Sequence, residues 1–111
     1  MINICDIHAE KPMQDYSVYC CAKAGLVMLT KALAKEFAPA VRVNAISPGT
    51  ILWPIGASKL STADKNSILK KIPLLRQGNA KEIAESVLFL VKNATYITGQ
   101  VLAVDGGRSL N

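Results

Sequence analysis

Aromatic residues, long apolar runs and a glycine-rich turn are what this chain has least of. Aromatic side chains make up 5% of its 111 residues, too few for the stacking platforms that bind single-stranded nucleic acids. The longest uninterrupted apolar run is residues 87–91, far shorter than the roughly 18 residues of a membrane span. Asn3, Asp6 and His8 interrupt the segment where a signal peptide needs a continuous apolar stretch. We therefore expect no membrane span, no signal peptide and a cytoplasmic location.

Positive charge is in excess but is dispersed. Thirteen Lys and Arg residues against eight Asp and Glu residues give a formal charge of +5, and the only adjacent cations are Lys70 and Lys71. Such a surface does not indicate a nucleic-acid partner, although some attraction for anionic ligands remains. Cysteine is limited to Cys5, Cys20 and Cys21, an odd number with no second pair at metal-ligand spacing. We expect reduced thiols and no metal site.

Short apolar runs alternate with helical periodicity along the chain. Strands are predicted at residues 1–5, 41–46 and 100–104, and helices at residues 17–38, from Ser61 to Pro73, and from a capping box at Asn79 and Glu82. The inward faces are predicted from apolar spacing as Val18, Ala22, Gly25, Leu26, Leu29 and Leu33 in the first helix and Ile83, Val87, Leu90 and Val91 in the last. This alternation predicts an α/β fold with a parallel sheet.

Three parallel strands are few for a sheet that is normally covered on both faces. A dinucleotide-binding fold also needs a glycine-rich turn after its first strand, and no G-x-G-x-x-G occurs here. We therefore expect residues 1–111 to form one partial domain, the second half of a larger sheet whose first half is absent.

Tyr19 and Lys23 are four residues apart at the start of the first predicted helix, so both project from the same side. A nearby ammonium lowers the pKa of a phenol from about 10, which would help the tyrosine to exchange a proton near neutral pH. Taken alone this spacing is weak, because many helices carry such a pair as solvated surface residues.

Further motifs follow in order: Y-C-C-A-K-A-G, R-V-N-A-I-S-P-G, Y-I-T-G-Q and V-D-G-G. Together they resemble the short-chain dehydrogenases/reductases over nearly the whole chain. The resemblance implies a Rossmann-like doubly wound parallel sheet of about seven strands, of which this chain supplies the last three and the catalytic half. It also implies that Tyr19 is the proton donor and Lys23 holds the nicotinamide ribose. Pro48, Gly49 and backbone groups near Ile51 would hold the nicotinamide carboxamide.

Asp6 lies thirteen residues before Tyr19, where this family usually has a serine. In this respect N-I-C-D-I-H-A-E-K-P-M-Q-D-Y-S-V-Y-C-C-A-K resembles the pteridine reductases and dihydromonapterin reductases, which place an aspartate there. A carboxyl group suits a pterin edge, where it can accept a hydrogen bond or, with a raised pKa, donate a proton. The alternative is that Asp6 only caps a turn.

The resemblance implies an NADPH-dependent pteridine reductase that converts a dihydropterin or dihydrofolate into its tetrahydro form, with Asp6, Tyr19 and Lys23 catalytic. The complete protein would be a homo-oligomer without a nucleic-acid or membrane partner. One alternative is a generic ketone or 3-oxoacyl-acyl-carrier-protein reductase. Another is a truncated, non-catalytic product that only self-associates. The missing glycine-rich turn favours this alternative for the isolated chain, which is expected to be inactive. Trp53 is left open between a substrate contact and a core position.

Overall fold

A computed structural model describes residues 1–56 and 59–111 of the chain. Its strands are β1 (Ile2–Ile4), β2 (Asn44–Pro48) and β3 (Val101–Val104), and its α-helices are α1 (Ser17–Phe37), α2 (Thr62–Lys70) and α3 (Ala80–Lys92). Short 3-10 turns lie at Ile7–Ala9 and Arg108–Leu110. The predicted α/β class is confirmed.

The three strands form one parallel sheet in the order β1-β2-β3. Ala45 and Ile46 of the central strand have no exposed surface, and as neighbours in a strand they face opposite sides of the sheet. Ala45 packs with Val27 of α1, and Ile46 packs with Leu90 of α3. Helices therefore cover both faces of the sheet, as the Rossmann-like prediction required.

The second strand begins later than predicted, at Asn44 instead of residue 41. Arg42 and Val43, which precede this strand, instead bond to the C-terminal end of α3 and to the segment that follows it. The Arg42 guanidinium donates hydrogen bonds to four main-chain carbonyls, those of Leu90, Val91, Ala94 and Ile97. The Val43 N–H donates to the Thr98 hydroxyl at 3.1 Å. Arg42 thereby caps the Leu90 and Val91 carbonyls, which the end of α3 leaves without helical partners, and is a second donor to the carbonyls of Ala94 and Ile97.

The predicted buried face of α1 is only partly right. Leu26 and Leu33 are half-buried, and Leu26 packs against the core. Val18 is 83% exposed and Leu29 is 48% exposed, whereas the fully buried residues are Val27, Thr30 and Ala34. The Asn3 amide donates to the Thr30 hydroxyl at 2.9 Å, which fixes this other face against β1. The helix is apolar on more than one side, so spacing alone did not identify the side that meets the sheet.

The inward set predicted for α3 is right except at its end. Leu90 is buried and Ile83 and Val87 are half-buried, but Val91 is exposed. The capping box of Asn79 and Glu82 that opens this helix is present as predicted.

Helix α1 has the length and mean hydropathy of a membrane-spanning segment, which the search for long apolar runs in the sequence did not reveal. Its 21 residues are long enough and apolar enough on average to cross a bilayer, although no apolar run within it is long. The core helices of soluble proteins can share this length and hydropathy, so length and composition alone are weak grounds for a membrane role.

Candidate active site

Asp6 lies just beyond the carboxyl end of β1. The Cys5 N–H still donates to the Ile46 carbonyl of β2, at 2.7 Å, and the chain then leaves the sheet. Asp6 adopts an extended conformation and its Oδ1 accepts the N–H of His8 at 2.8 Å, which caps the 3-10 turn. The turn-capping contact that was considered for Asp6 is therefore present. It occupies one carboxylate oxygen and leaves the other for a second partner.

That second partner is Tyr19, in the first turn of α1. Its hydroxyl donates to Oδ2 of Asp6 at 2.5 Å. Lys23, one turn further along α1, donates from Nζ to the Ile4 carbonyl at 3.1 Å, and its Nζ lies 5.8 Å from the centre of the Tyr19 ring. The fold thus brings together the three residues predicted as catalytic, at the edge of the sheet where β1 ends.

The electrostatics of Tyr19 are the reverse of the expectation from its spacing to Lys23. Burial, followed by the hydrogen bond that Tyr19 donates to Asp6 and the negative charge of that carboxylate, raises the pKa of Tyr19 to about 12. The ammonium of Lys23 lies over the ring and bonds a main-chain carbonyl, while the carboxylate contacts the hydroxyl itself. Tyr19 is therefore a protonated donor at neutral pH.

The cofactor loop, residues 48–51, begins at Pro48, the last residue of β2, and packs against the end of β3. The Gly49 N–H donates to the Val104 carbonyl at 3.1 Å. A Cβ on Gly49 would lie 2.6 Å from Cβ and 2.7 Å from Cα of Asp105, so only glycine fits here. Glycine is thus required for close packing between two chain segments, a reason that the sequence motif did not reveal.

Backbone groups of the cofactor loop are partly engaged within the chain. The Gln77 side-chain amide donates to the Ile51 carbonyl, and the Gly78 N–H donates to the Thr50 carbonyl at 3.0 Å. Gln77 was missed in the sequence because it lies 26 residues from Ile51, in a loop without a recognised motif. The Thr50 and Ile51 carbonyls are thus bonded within the chain, and the role of backbone groups near Ile51 in holding a carboxamide stays a prediction.

The donors present fit the nicotinamide-ribose end of a dinucleotide. An ammonium carries three N–H donors, and Lys23 uses one of them on the Ile4 carbonyl. The Tyr19 residue is 38% exposed, so its hydroxyl lies at an accessible edge. These two side chains would hold ribose hydroxyls, and the cofactor loop would border the nicotinamide ring.

A cavity of about 600 Å³ opens beside Asp6. Gly49 and Thr50 of the cofactor loop and Ile68 of α2 are among its lining residues. The volume lies within the range of about 300–1,000 Å³ typical of small-molecule sites. We call this cavity the substrate cleft, because its lining includes both Asp6, which was predicted as catalytic, and the cofactor loop.

Trp53 and Asn44 lie outside this arrangement. The Lys65 ammonium of α2 lies 5.7 Å from the centre of the Trp53 ring, which is a contact between the segment after the cofactor loop and α2. Asn44 has a structural role at the start of β3. Its amide donates to the Ile97 carbonyl and its Oδ1 accepts the Gln100 N–H.

Comparison with known proteins places the chain in a family context. Residues 1–109 match the family model described as Enoyl-(Acyl carrier protein) reductase. The chain is 44% identical to a 3-oxoacyl-[acyl-carrier-protein] reductase of Chlamydia muridarum, over 96% of this chain and 44% of that protein. It is 37% identical to an L-xylulose reductase of Caenorhabditis elegans, over 100% of this chain and 45% of that protein.

A solved structure shows the same fold. It is described as a short-chain dehydrogenase/reductase, glucose/ribitol dehydrogenase, from Brucella melitensis, and it superposes with a TM-score of 0.83 at 30% identity. The match covers 96% of this chain and 42% of that one. The chain thus spans less than half the length of the proteins it matches.

Proposed function

Because the chain belongs to the short-chain dehydrogenase/reductase family, we propose that it supplies the catalytic half of an NADPH-dependent pteridine reductase. Proteins of this family are oxidoreductases that use nicotinamide dinucleotides. The observation that carries the finer assignment is the hydrogen bond between Tyr19 and Asp6, which joins the family's proton donor to a carboxylate.

Tyr19 would donate the proton that completes reduction of the substrate double bond. With a pKa of about 12 its hydroxyl is protonated at neutral pH and carries the proton that the substrate would accept. The negative charge then left on the phenol would be stabilised by the ammonium of Lys23, 5.8 Å from the ring centre. NADPH, when bound, supplies the hydride.

Asp6 would bind the edge of the pterin ring. A carboxylate has about four acceptor positions on its two oxygens, and the structure uses one on His8 and one on Tyr19. Acceptor positions therefore remain for the amino and ring N–H donors of a pterin. In this way one side chain would orient the substrate and position the proton donor.

The names of the relatives favour a second candidate. The proteins at 44% and 37% identity are a 3-oxoacyl-[acyl-carrier-protein] reductase and an L-xylulose reductase, both carbonyl reductases by name. On this hypothesis the chain is part of a reductase for ketones or 3-oxoacyl thioesters that carries Asp6 at the usual serine position.

Exchange of Asp6 for serine separates the two candidates. The test enzyme is a complete reductase in which this chain follows the glycine-rich half of a family member. Asp6→Ser should lower kcat/KM for dihydrobiopterin while sparing or raising activity on a simple ketone, because serine bonds a carbonyl but accepts fewer pterin N–H groups. Glu10→Ser removes an exposed carboxylate from the same segment and is the matched control. Equal pterin reduction by the parent and Asp6→Ser enzymes would favour the ketone reductase.

We also propose that the complete protein is a cytoplasmic homo-oligomer. Its three cysteines are free thiols, which supports a reducing compartment. The exposed apolar residues of α1, among them Val18 and Leu29, support packing against a second copy. Light scattering on the complete protein should show an oligomer that Leu29→Glu weakens, and a monomeric parent protein would contradict this.

A further inference from the structure

We propose that the substrate cleft selects substrates that carry a carboxylate or phosphate group, held by Lys11, Lys71 and Arg108 while the reacting end lies at Asp6. This inference rests on the proposed reductase function, since it assigns a substrate class to the same cleft.

The three cations come from three separate segments that meet around one cavity. Lys11 follows the first 3-10 turn, Lys71 follows α2, and Arg108 begins the C-terminal 3-10 turn; all three line the cleft that Asp6 also lines. Asp6 is the only acidic side chain among these lining residues. The lining therefore combines one carboxylate side chain with three cationic side chains.

Hydrogen bonds within the chain hold these segments in place. The Asn111 amide donates to the Lys71 carbonyl at 3.0 Å, which joins the C-terminal segment carrying Arg108 to the end of α2. In the segment that carries Lys11, Nδ1 of His8 lies 2.9 Å from the Lys11 carbonyl. The main chain that carries the cations is thus anchored at two places without use of the cationic groups themselves.

Within the part of the chain that the structure describes, the three cationic groups form no ion pair with a carboxylate. Across residues 1–56 and 59–111, the ion pairs are Arg76 with Glu82 and Lys81 with Glu85, both away from the cleft. Three cations of one sign around an apolar-walled cleft attract an anion more strongly than the same charges spread over a surface. The guanidinium of Arg108 in addition matches the two oxygens of a carboxylate or phosphate.

Matched substrates test the inference in the complete reductase. We would compare 4-carboxybenzaldehyde with its methyl ester, and dihydrofolate with dihydrobiopterin, so that one pair serves each candidate function. The ratio of kcat/KM for the charged over the uncharged member should fall about fivefold to tenfold in Lys71→Gln/Arg108→Gln, as expected for two partly exposed ion pairs. In the parent enzyme that ratio should also fall as salt is added.

Lys70→Gln is the control, because Lys70 precedes Lys71 in the chain but does not line the cleft. It should leave the ratio unchanged. An unchanged ratio in the double variant, or an equal fall in Lys70→Gln, would overturn the inference while the proposed reductase function stands.

If the enzyme reduces neither pair of substrates, the proposed reductase function is refuted. A binding measurement still tests the inference about the cationic side chains in that case. Met13 lines the cleft and Met28 lies exposed on α1, so methionine-methyl NMR gives a reporter and an internal reference. Inorganic phosphate and acetate, added separately, distinguish the two anion types. At least one should shift the Met13 signal in the parent enzyme and, at the same concentration, less in Lys71→Gln/Arg108→Gln. Equal shifts in both proteins, or none in the parent, would overturn the inference.

Discussion

Asp6→Asn should lower the pKa of Tyr19 while leaving the shape of the site intact. Burial, the hydrogen bond to Asp6 and the charge of Asp6 raise that pKa to about 12, in this order of size. At pH 7 the phenolate fraction is then about 10⁻⁵, against about 10⁻³ for an ordinary tyrosine. The variant removes the charge and weakens the hydrogen bond but keeps the burial, so the pKa should settle between about 10 and about 12.

Titration of tyrosine ring signals by NMR in the complete reductase would measure this shift, with Tyr19→Phe assigning the signal. Glu10→Gln removes a charge from the same segment without a contact to Tyr19 and should leave the pKa unchanged. The folded pKa lies above the unfolded value of about 10. Tyr19 should therefore make stability fall as pH rises from about 10 to about 12, and should have no effect on its pH dependence below that range. An unchanged Tyr19 pKa in Asp6→Asn would refute the assigned electrostatic role.

Tyr19→Phe should lower turnover by about 10²- to 10⁴-fold through loss of a positioned acid and preserve the circular dichroism spectrum; an unchanged rate would remove Tyr19 from the mechanism. Arg42→Met should reduce the free energy of unfolding by about 2–4 kcal/mol, because the Leu90 and Val91 carbonyls lose their side-chain donor and those of Ala94 and Ile97 each lose one of two donors. Urea titration would measure this loss, and Lys92→Met, at the exposed end of α3, should change it little. The 111 residues alone should bind NADPH weakly, since they contain no glycine-rich turn for its pyrophosphate; micromolar affinity in calorimetry, with a monodisperse monomer by light scattering, would contradict this.

The sheet and the position of the site were predictable because they depend on local patterns. Apolar runs and the Asn79 capping box located the strands and helices to within a few residues, and order along the chain then fixed the parallel arrangement. The proximity of Asp6, Tyr19 and Lys23 was predictable from the family resemblance, which includes their spacing. The end of β1 and the first turns of α1 lie side by side, as that resemblance implies.

The pKa of Tyr19, the partner of Ile51 and the cationic lining of the cleft depended on contacts that sequence spacing does not encode. Lys23 is four residues from Tyr19 and was expected to control its pKa, yet the carboxylate thirteen residues away contacts the hydroxyl. The contact from Gln77 to Ile51 spans 26 residues and joins two loops. The cationic cleft combines segments that begin near residues 11, 71 and 108, so dispersed charge in the sequence becomes concentrated in the fold.

The close packing of Gly49 on Asp105 couples two properties of the enzyme that would otherwise vary independently. Asp105 also accepts the N–H groups of Gly107 and Ser109 at 2.8 Å each, and these flank Arg108. Burial alone would raise the pKa of Asp105, but hydrogen bonds from Ser109 and Gly107 outweigh it and lower the pKa. The Asp105 carboxylate therefore stays ionised, and keeps these hydrogen bonds, at a lower pH than an ordinary aspartate would. A substitution that repositions Arg108 to accept a different substrate would therefore also move the cofactor loop, which is proposed to border the nicotinamide. Altered charge selectivity and altered hydride-transfer rate should then arise together, which constrains how either property can evolve or be engineered.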